Sequence, residues 1–296
     1  MEMWLKEFKE KFTEDFLSLH WRQWSALGFF THEKTEEKWV IDPEALIIST
    51  LSLRGEKRLL EGCKQWCEKN RAWISTSRLR RIAREFSKPQ PRVKRTPLSQ
   101  NLRILQDFLK GKGKKPEKEV ISQPSLNSPS LLLLKLRAMF GPEARSGIFL
   151  CFLLGMRGNS YEIAEMVHYD QKRVYQVLKA WEKAGLLESS QGGREKKYWL
   201  SHGEIWKEIL GLKALPPFLN WPRIFLLLHR INLALREEIW QNPYLLSSLF
   251  KDIYSDVRGA FQPLGMRFPK PEDFPGEEYF LPFSQALLDA LTRLKG

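Results

Sequence analysis

The sequence predicts a mostly α-helical protein with a winged helix-turn-helix at its centre. Two observations carry this prediction. An ordered set of helix, helix, turn, basic helix and glycine-tipped hairpin runs from Arg145 to Ser201. On either side of it, apolar residues recur at intervals of three and four, the spacing of helices with one buried face. A third observation points to the partner. The chain of 296 residues carries a net charge of +13, which favours a polyanion.

Residues 1–86 read as a helical domain. Asp42 and Pro43 suit a helix start, as N-cap and first helical residue. Leu59 to Glu68 and Arg78 to Phe86 follow as helices, and Trp39-Val40-Ile41 precedes them as a candidate strand. A strand and three short helices match a second, degenerate helix-turn-helix. In the last helix Leu79, Ile82, Ala83 and Phe86 share one face, with Arg80, Arg81 and Arg84 on or beside the other. Two readings stand for these arginines: a second DNA contact, or a solvated basic face.

Residues 87–127 read as a basic linker, with a short helix over Leu98 to Leu109. Prolines 89, 91, 97, 116 and 124 and the run Lys110 to Lys115 resist a packed core. Residues 87–120 hold net +7 of the +13. Lys110 to Lys118 is either an arm along the DNA backbone or a solubilising spacer.

Residues 128–203 form the expected winged domain. Ile148, Phe149, Phe152, Leu153 and Leu154 make its first stripe. Asn159 and Glu162 are spaced as a capping box for a helix over Ser160 to Val167. After a turn at His168 to Asp170, a helix over Gln171 to Ala184 places Val174, Val177, Leu178 and Trp181 inward. Lys172, Gln176, Lys179 and Lys183 then face outward, flanked by Arg173 and Tyr175. A recognition helix needs such a face of long donors for base edges and phosphates. Leu186 to Leu200 reads as a hairpin with a Gly192-Gly193 tip. Arg194, Lys196 and Lys197 on its second strand suit phosphates or the minor groove.

Residues 204–296 read as a neutral helical region, with helices over Arg223 to Gln241, Pro243 to Phe261 and Phe283 to Leu294. The stripe of Ile224, Phe225, Leu228, Ile231, Leu235 and Ile239 is either a dimer interface or a core. Trp21, Trp24, Trp39, Trp66, Trp73, Trp181, Trp199, Trp206, Trp221 and Trp240 read as core anchors.

The stretches IAEMVHYDQKRVYQVLKAWEKAGLL and GGREKKYWL resemble the winged helix of ArsR/MarR-type transcriptional regulators of prokaryotes. The resemblance covers about a fifth of the chain. It implies recognition-helix contacts at Lys172, Arg173, Gln176 and Lys179, and a wing contact at Arg194. The flanks HWRQWSALG, VIDPEALII and DFPGEEYF resemble a larger set of prokaryotic proteins of similar length. The long N-terminal domain and C-terminal helices depart from the small regulators, so their effector site and dimer interface do not carry over.

The expected function is a non-enzymatic, sequence-specific regulator binding double-stranded DNA in the cytoplasm, at the nucleoid. It would act as a homodimer, with two recognition helices in successive major grooves. A small-molecule effector or protein partner is left open. The alternatives are a replication or partition initiator with two winged helices, and a protein-interaction scaffold such as an antitoxin or defence accessory factor. No catalytic motif, cofactor fingerprint or metal-ligand spacing is present in the sequence. No apolar run is long enough to span a membrane. Cys63 and Cys67 lie four apart on a helix, as a thiol sensor or as a packed pair.

Overall fold

A computed structural model describes residues 2–29, 37–88, 98–109, 121–122, 124–192, 195–237 and 242–296. The protein is mostly helical, with a small two-stranded antiparallel sheet.

The chain opens with α1 (Glu2–Ala26), which the sequence reading passed over because charges punctuate it. Leu5, Phe8, Phe12, Phe16 and Leu19 nevertheless lie three or four apart and are all buried. Next come α2 (Pro43–Ser52), α3 (Lys57–Lys69) and α4 (Thr76–Phe86). Asp42 caps α2 by accepting the amide of Ala45 over 3.1 Å. Residues 39–41 form no strand, contrary to expectation. The Val40 carbonyl instead accepts the Trp221 indole at 2.7 Å, and the Ile41 amide donates to Ser130 at 2.9 Å. Both groups are satisfied without a ladder.

The expected linker is not all linker. Its helix, α5 (Leu98–Leu109), packs on α3 and α2. Leu98 and Leu105 are buried, and Asn101 donates to the Leu51 carbonyl over 2.8 Å. The Lys110 to Lys118 run lies outside the described residues.

Residues 132–209 supply α6 (Leu132–Phe140), α7 (Ala144–Leu153), α8 (Ser160–Val167), α9 (Gln171–Lys183), a hairpin of β1 (Leu187–Gly192) and β2 (Glu195–Leu200), and α10 (Gly203–Ile209). The chain ends with α11 (Trp221–Arg236), α12 (Pro243–Phe261) and α13 (Phe280–Lys295).

The packing joins what the sequence divides. One core takes residues from Leu5 to Leu134 and again from Leu219 to Leu294. Phe8 meets Phe250 and Phe280 edge-on, with ring centroids 6.1 and 5.7 Å apart. The first and last helices therefore belong to one helical body, and the central unit is inserted between its halves. That unit has two small cores of its own. One holds Ile148, Phe152, Ile163, Val174, Leu178 and Tyr198; the other centres on Phe149 and Leu210.

The apolar stripe of α11 is core. Ile224, Phe225, Leu228, Ile231 and Leu235 are buried within the chain and leave no face for a partner; Ile239 and Trp240 lie outside the described residues. Trp24, Trp66 and Trp221 are fully buried anchors. Trp199 is not one, because it points away from the packed face of the hairpin. No helix among the described residues is long and apolar enough to cross a membrane.

Candidate nucleic-acid interface

The central unit begins with a capped helix. The Asn159 side chain accepts the amides of Tyr161 and Glu162, and Glu162 accepts the Asn159 amide at 2.9 Å. The reciprocal box fixes where α8 starts. It ends at His168, a non-glycine residue with φ 56°. Asp170 then caps α9 by accepting the amide of Lys172 at 3.0 Å. Asp170 thereby fixes where α9 starts.

Val174 and Leu178 are fully buried on the inner side of α9, with Val177 and Trp181 packed partly beside them. Trp181 stands edge-on to Phe149 at 6.1 Å. Burying each such apolar side chain stabilises by about 1.5–3 kcal/mol, which holds the helix to α7. Lys172, Arg173, Tyr175, Gln176, Lys179 and Lys183 are all exposed. By helical geometry Lys172, Gln176, Lys179 and Lys183 form the crest of α9, with Arg173 on the α7 side and Tyr175 on the hairpin side.

The hairpin lies along that second side. Its register pairs Ser189 with Tyr198 and Ser190 with Lys197, so Lys197 points outward and is exposed. Lys196 points inward and makes a 2.6 Å ion pair with Glu182 near the end of α9. Its ammonium also lies 5.7 Å from the Tyr198 ring centroid. Ser189 donates to the same carboxylate. The hydrogen bonds from Lys196 and Ser189 hold the Glu182 carboxyl below its ordinary range. Lys196 thus fastens the hairpin to α9, where the sequence reading gave it to DNA. Arg194 and Gly193 lie outside the described residues.

The hairpin has a third partner. Gly158 and Tyr198 exchange backbone hydrogen bonds of 3.2 and 2.9 Å. This sets Arg157 opposite Trp199, with its guanidinium 5.5 Å from the indole ring. The sequence reading missed Arg157, and also Arg145, an exposed residue in the first turn of α7. Arg145 and Arg173 line a shared groove between α7 and α9.

The helical body adds α4. Arg81 pairs with Glu165 of α8 at 3.1 Å, while Arg80 and Arg84 are exposed. Arg78 of the same helix is buried. It pairs with Asp42, and with Glu44 at 2.9 Å, and its Nε–H donates to the Val167 carbonyl at 2.8 Å. Arg137 of α6 meets Glu44 at 2.6 Å. Burial opposes ionisation of Asp42, but the Arg78 guanidinium outweighs it and keeps the carboxyl below its usual range. The His168 Nε2–H donates to Asn220 at 2.9 Å, and its Nδ1 lies 3.5 Å from Glu85. The turn before α9 is therefore held by both halves of the body.

Cys63 and Cys67 are both fully buried. Burial and the neighbouring Cys63 thiol push the Cys67 pKa well up, which suppresses the reactive thiolate. No cluster of metal-binding side chains occurs among the described residues.

Comparison of the chain with protein-family models, curated proteins and solved structures finds no match.

Proposed function

We propose that α7, α8, α9 and the hairpin act as a winged helix that binds duplex DNA, with α9 in the major groove and the hairpin on the backbone. The reading makes the chain a DNA-binding regulator of transcription, of the ArsR/MarR type in this segment. It would act in the cytoplasm at the nucleoid, as a dimer on paired half-sites. One observation carries it. The buried side of α9 is apolar and fixed, and its crest presents Lys172, Gln176, Lys179 and Lys183 to solvent. The Gly158–Tyr198 bridge supports it by tying the start of α8 to the second hairpin strand. Lys172, Lys179 and Lys183 serve phosphates and guanine edges, Gln176 serves an adenine edge, and Lys197 serves the backbone. Arg80 and Arg84 extend the basic surface, since the Arg81–Glu165 pair brings α4 against α8.

The test is fluorescence anisotropy at several salt concentrations, with the duplex upstream of the protein's own gene and a scrambled duplex. Lys172→Glu with Lys179→Glu is expected to weaken binding to both by more than tenfold. Gln176→Ala is expected to erase the preference for the native duplex. Wild-type activity in cells with the double charge reversal would overturn the reading in favour of a protein-interaction scaffold.

A further inference from the structure

The groove between the start of α7 and the side of α9 has a volume of about 540 Å³. Glu143, Arg145, Arg173 and Gln176 supply its polar lining, with Val177 and Trp181 on its apolar side. An anion already sits there. The Glu143 carboxylate takes the Arg173 guanidinium at 2.9 Å and the Ser77 hydroxyl at 3.1 Å, and the Ser75 hydroxyl reaches its other oxygen at 3.5 Å. A guanidinium and a hydroxyl converging on one charged oxygen also suit a phosphodiester, which presents the same kind of acceptor. The ion pair of Glu143 with Arg173 is weak. The Arg173 and Glu143 side chains are 47% and 39% exposed, and ion pairs in that setting contribute little. Arg145 lines the groove without an ion pair among the described residues.

We propose that this groove seats a backbone phosphate of the duplex, with Arg145 and Arg173 as its ligands and Glu143 as a tethered competitor that the phosphate displaces. The proposal rests on the DNA-binding reading above and adds a site to it. Glu143 is held by Ser75 and Ser77, which cap and open α4, so the competitor is anchored in the helical body. Its charge lowers affinity for every sequence alike, because a phosphate seat carries no base information. Displacing it leaves base contacts by the crest of α9 to decide which duplex is held.

The experiment is anisotropy on one duplex two helical turns long, at several salt concentrations, with the full chain. Glu143→Gln is expected to tighten binding several-fold. Arg145→Ala and Arg173→Ala are expected to weaken it by about three- to tenfold, and each to lower the slope of log Kd against log salt by about 1. The gain from Glu143→Gln should vanish in the Arg173→Ala background. Glu188→Gln, an equal charge change on the hairpin, should give a smaller gain. Thermal midpoints check that each variant is folded, and Glu143→Ala stands in if Glu143→Gln is not. A Glu143→Gln gain undiminished without Arg173, or wild-type affinity and slope in Arg145→Ala, would overturn the proposal. If those variants match wild type while Lys172→Glu with Lys179→Glu abolishes binding, the groove proposal falls and the DNA reading stands. If neither wild type nor Glu143→Gln binds duplex at low salt, both fall.

Discussion

The Nε–H of Arg78 donates to the main-chain carbonyl of Val167 over 2.8 Å, across 89 positions of sequence. One side chain therefore pairs with two buried carboxylates in the body, sharing Glu44 with Arg137, and also holds the end of the helix that precedes α9. The orientation of α9 and the stability of the body depend on the same guanidinium.

Replacing that residue should cost more than an ordinary buried substitution. Arg78→Met leaves Asp42 buried without its partner, while Glu44 keeps Arg137. Breaking a buried pair from one side costs about 3–5 kcal/mol. Urea unfolding should show a loss in that range. A loss below about 1 kcal/mol would mean the network does not hold the body to the central unit.

Acid should unfold the protein through two histidines. Burial lowers the His20 pKa from 6.5 to about 4, and that of His229 from 6.5 to about 3. The unfolded chain takes up these protons first, so stability falls as pH drops below about 6.5 and continues to fall towards 4. Each group contributes on the order of 3 kcal/mol or more to that loss. Neither ring nitrogen of His229 has a hydrogen-bond partner among the described residues, and the ring stacks on Phe86. His229→Phe should raise the thermal midpoint at neutral pH, by about 1–3 kcal/mol in stability, and flatten the acid limb. A lower midpoint at neutral pH would count against this account.

Glu37 should act in the opposite sense. Burial raises its pKa from 4.5 to about 7, against the amide of Trp39, which donates to it at 3.1 Å. The native state keeps the proton that the unfolded chain releases, so stability falls as pH rises from about 4.5 to 7. The loss is about 3 kcal/mol in full. Glu37→Gln keeps the acceptor and removes the titration. It should be more stable than wild type at pH 8 and equal to it near pH 4; equal stability at both would refute the assignment.

The three cysteines should be silent in the native protein. Cys63, Cys67 and Cys151 are free and buried, and burial raises the pKa of Cys67 and Cys151. A thiol reagent should count no thiols in buffer and three in denaturant. Rapid native labelling of Cys63 or Cys67 would restore the sensor reading.

Local rules in the sequence were legible where chemistry acts over a few residues. The Asn159–Glu162 box, the Asp42-Pro43 start and the apolar side of α9 follow from spacing alone. Other features depend on partners far along the chain. Nothing near Leu98 says that α5 docks on α3, and nothing near Leu5 says that α1 meets α13. Val40 and Ile41 look like a strand because they are apolar and β-branched, but the groups that satisfy them, Trp221 and Ser130, lie in other elements. Trp199 was within reach. Tyr198 points inward on a strand of period two, so its neighbour must point out. The sequence offers Lys196 and Arg173 as DNA contacts and hides their pairing, because their acids, Glu182 and Glu143, are not their neighbours in the chain.

The insertion of the central unit between two halves of one core also sets an order of assembly during synthesis. Chains emerge from the ribosome N-terminus first, and units fold as they become complete. The cores around α7, α9 and the hairpin draw almost wholly on residues 132–215, whereas the body waits for α11, α12 and α13. On a translating ribosome the cores around α9 are therefore complete before α11 to α13 have emerged, so the helix packs with its basic crest formed while the brace from His168 to Asn220 is still unmade.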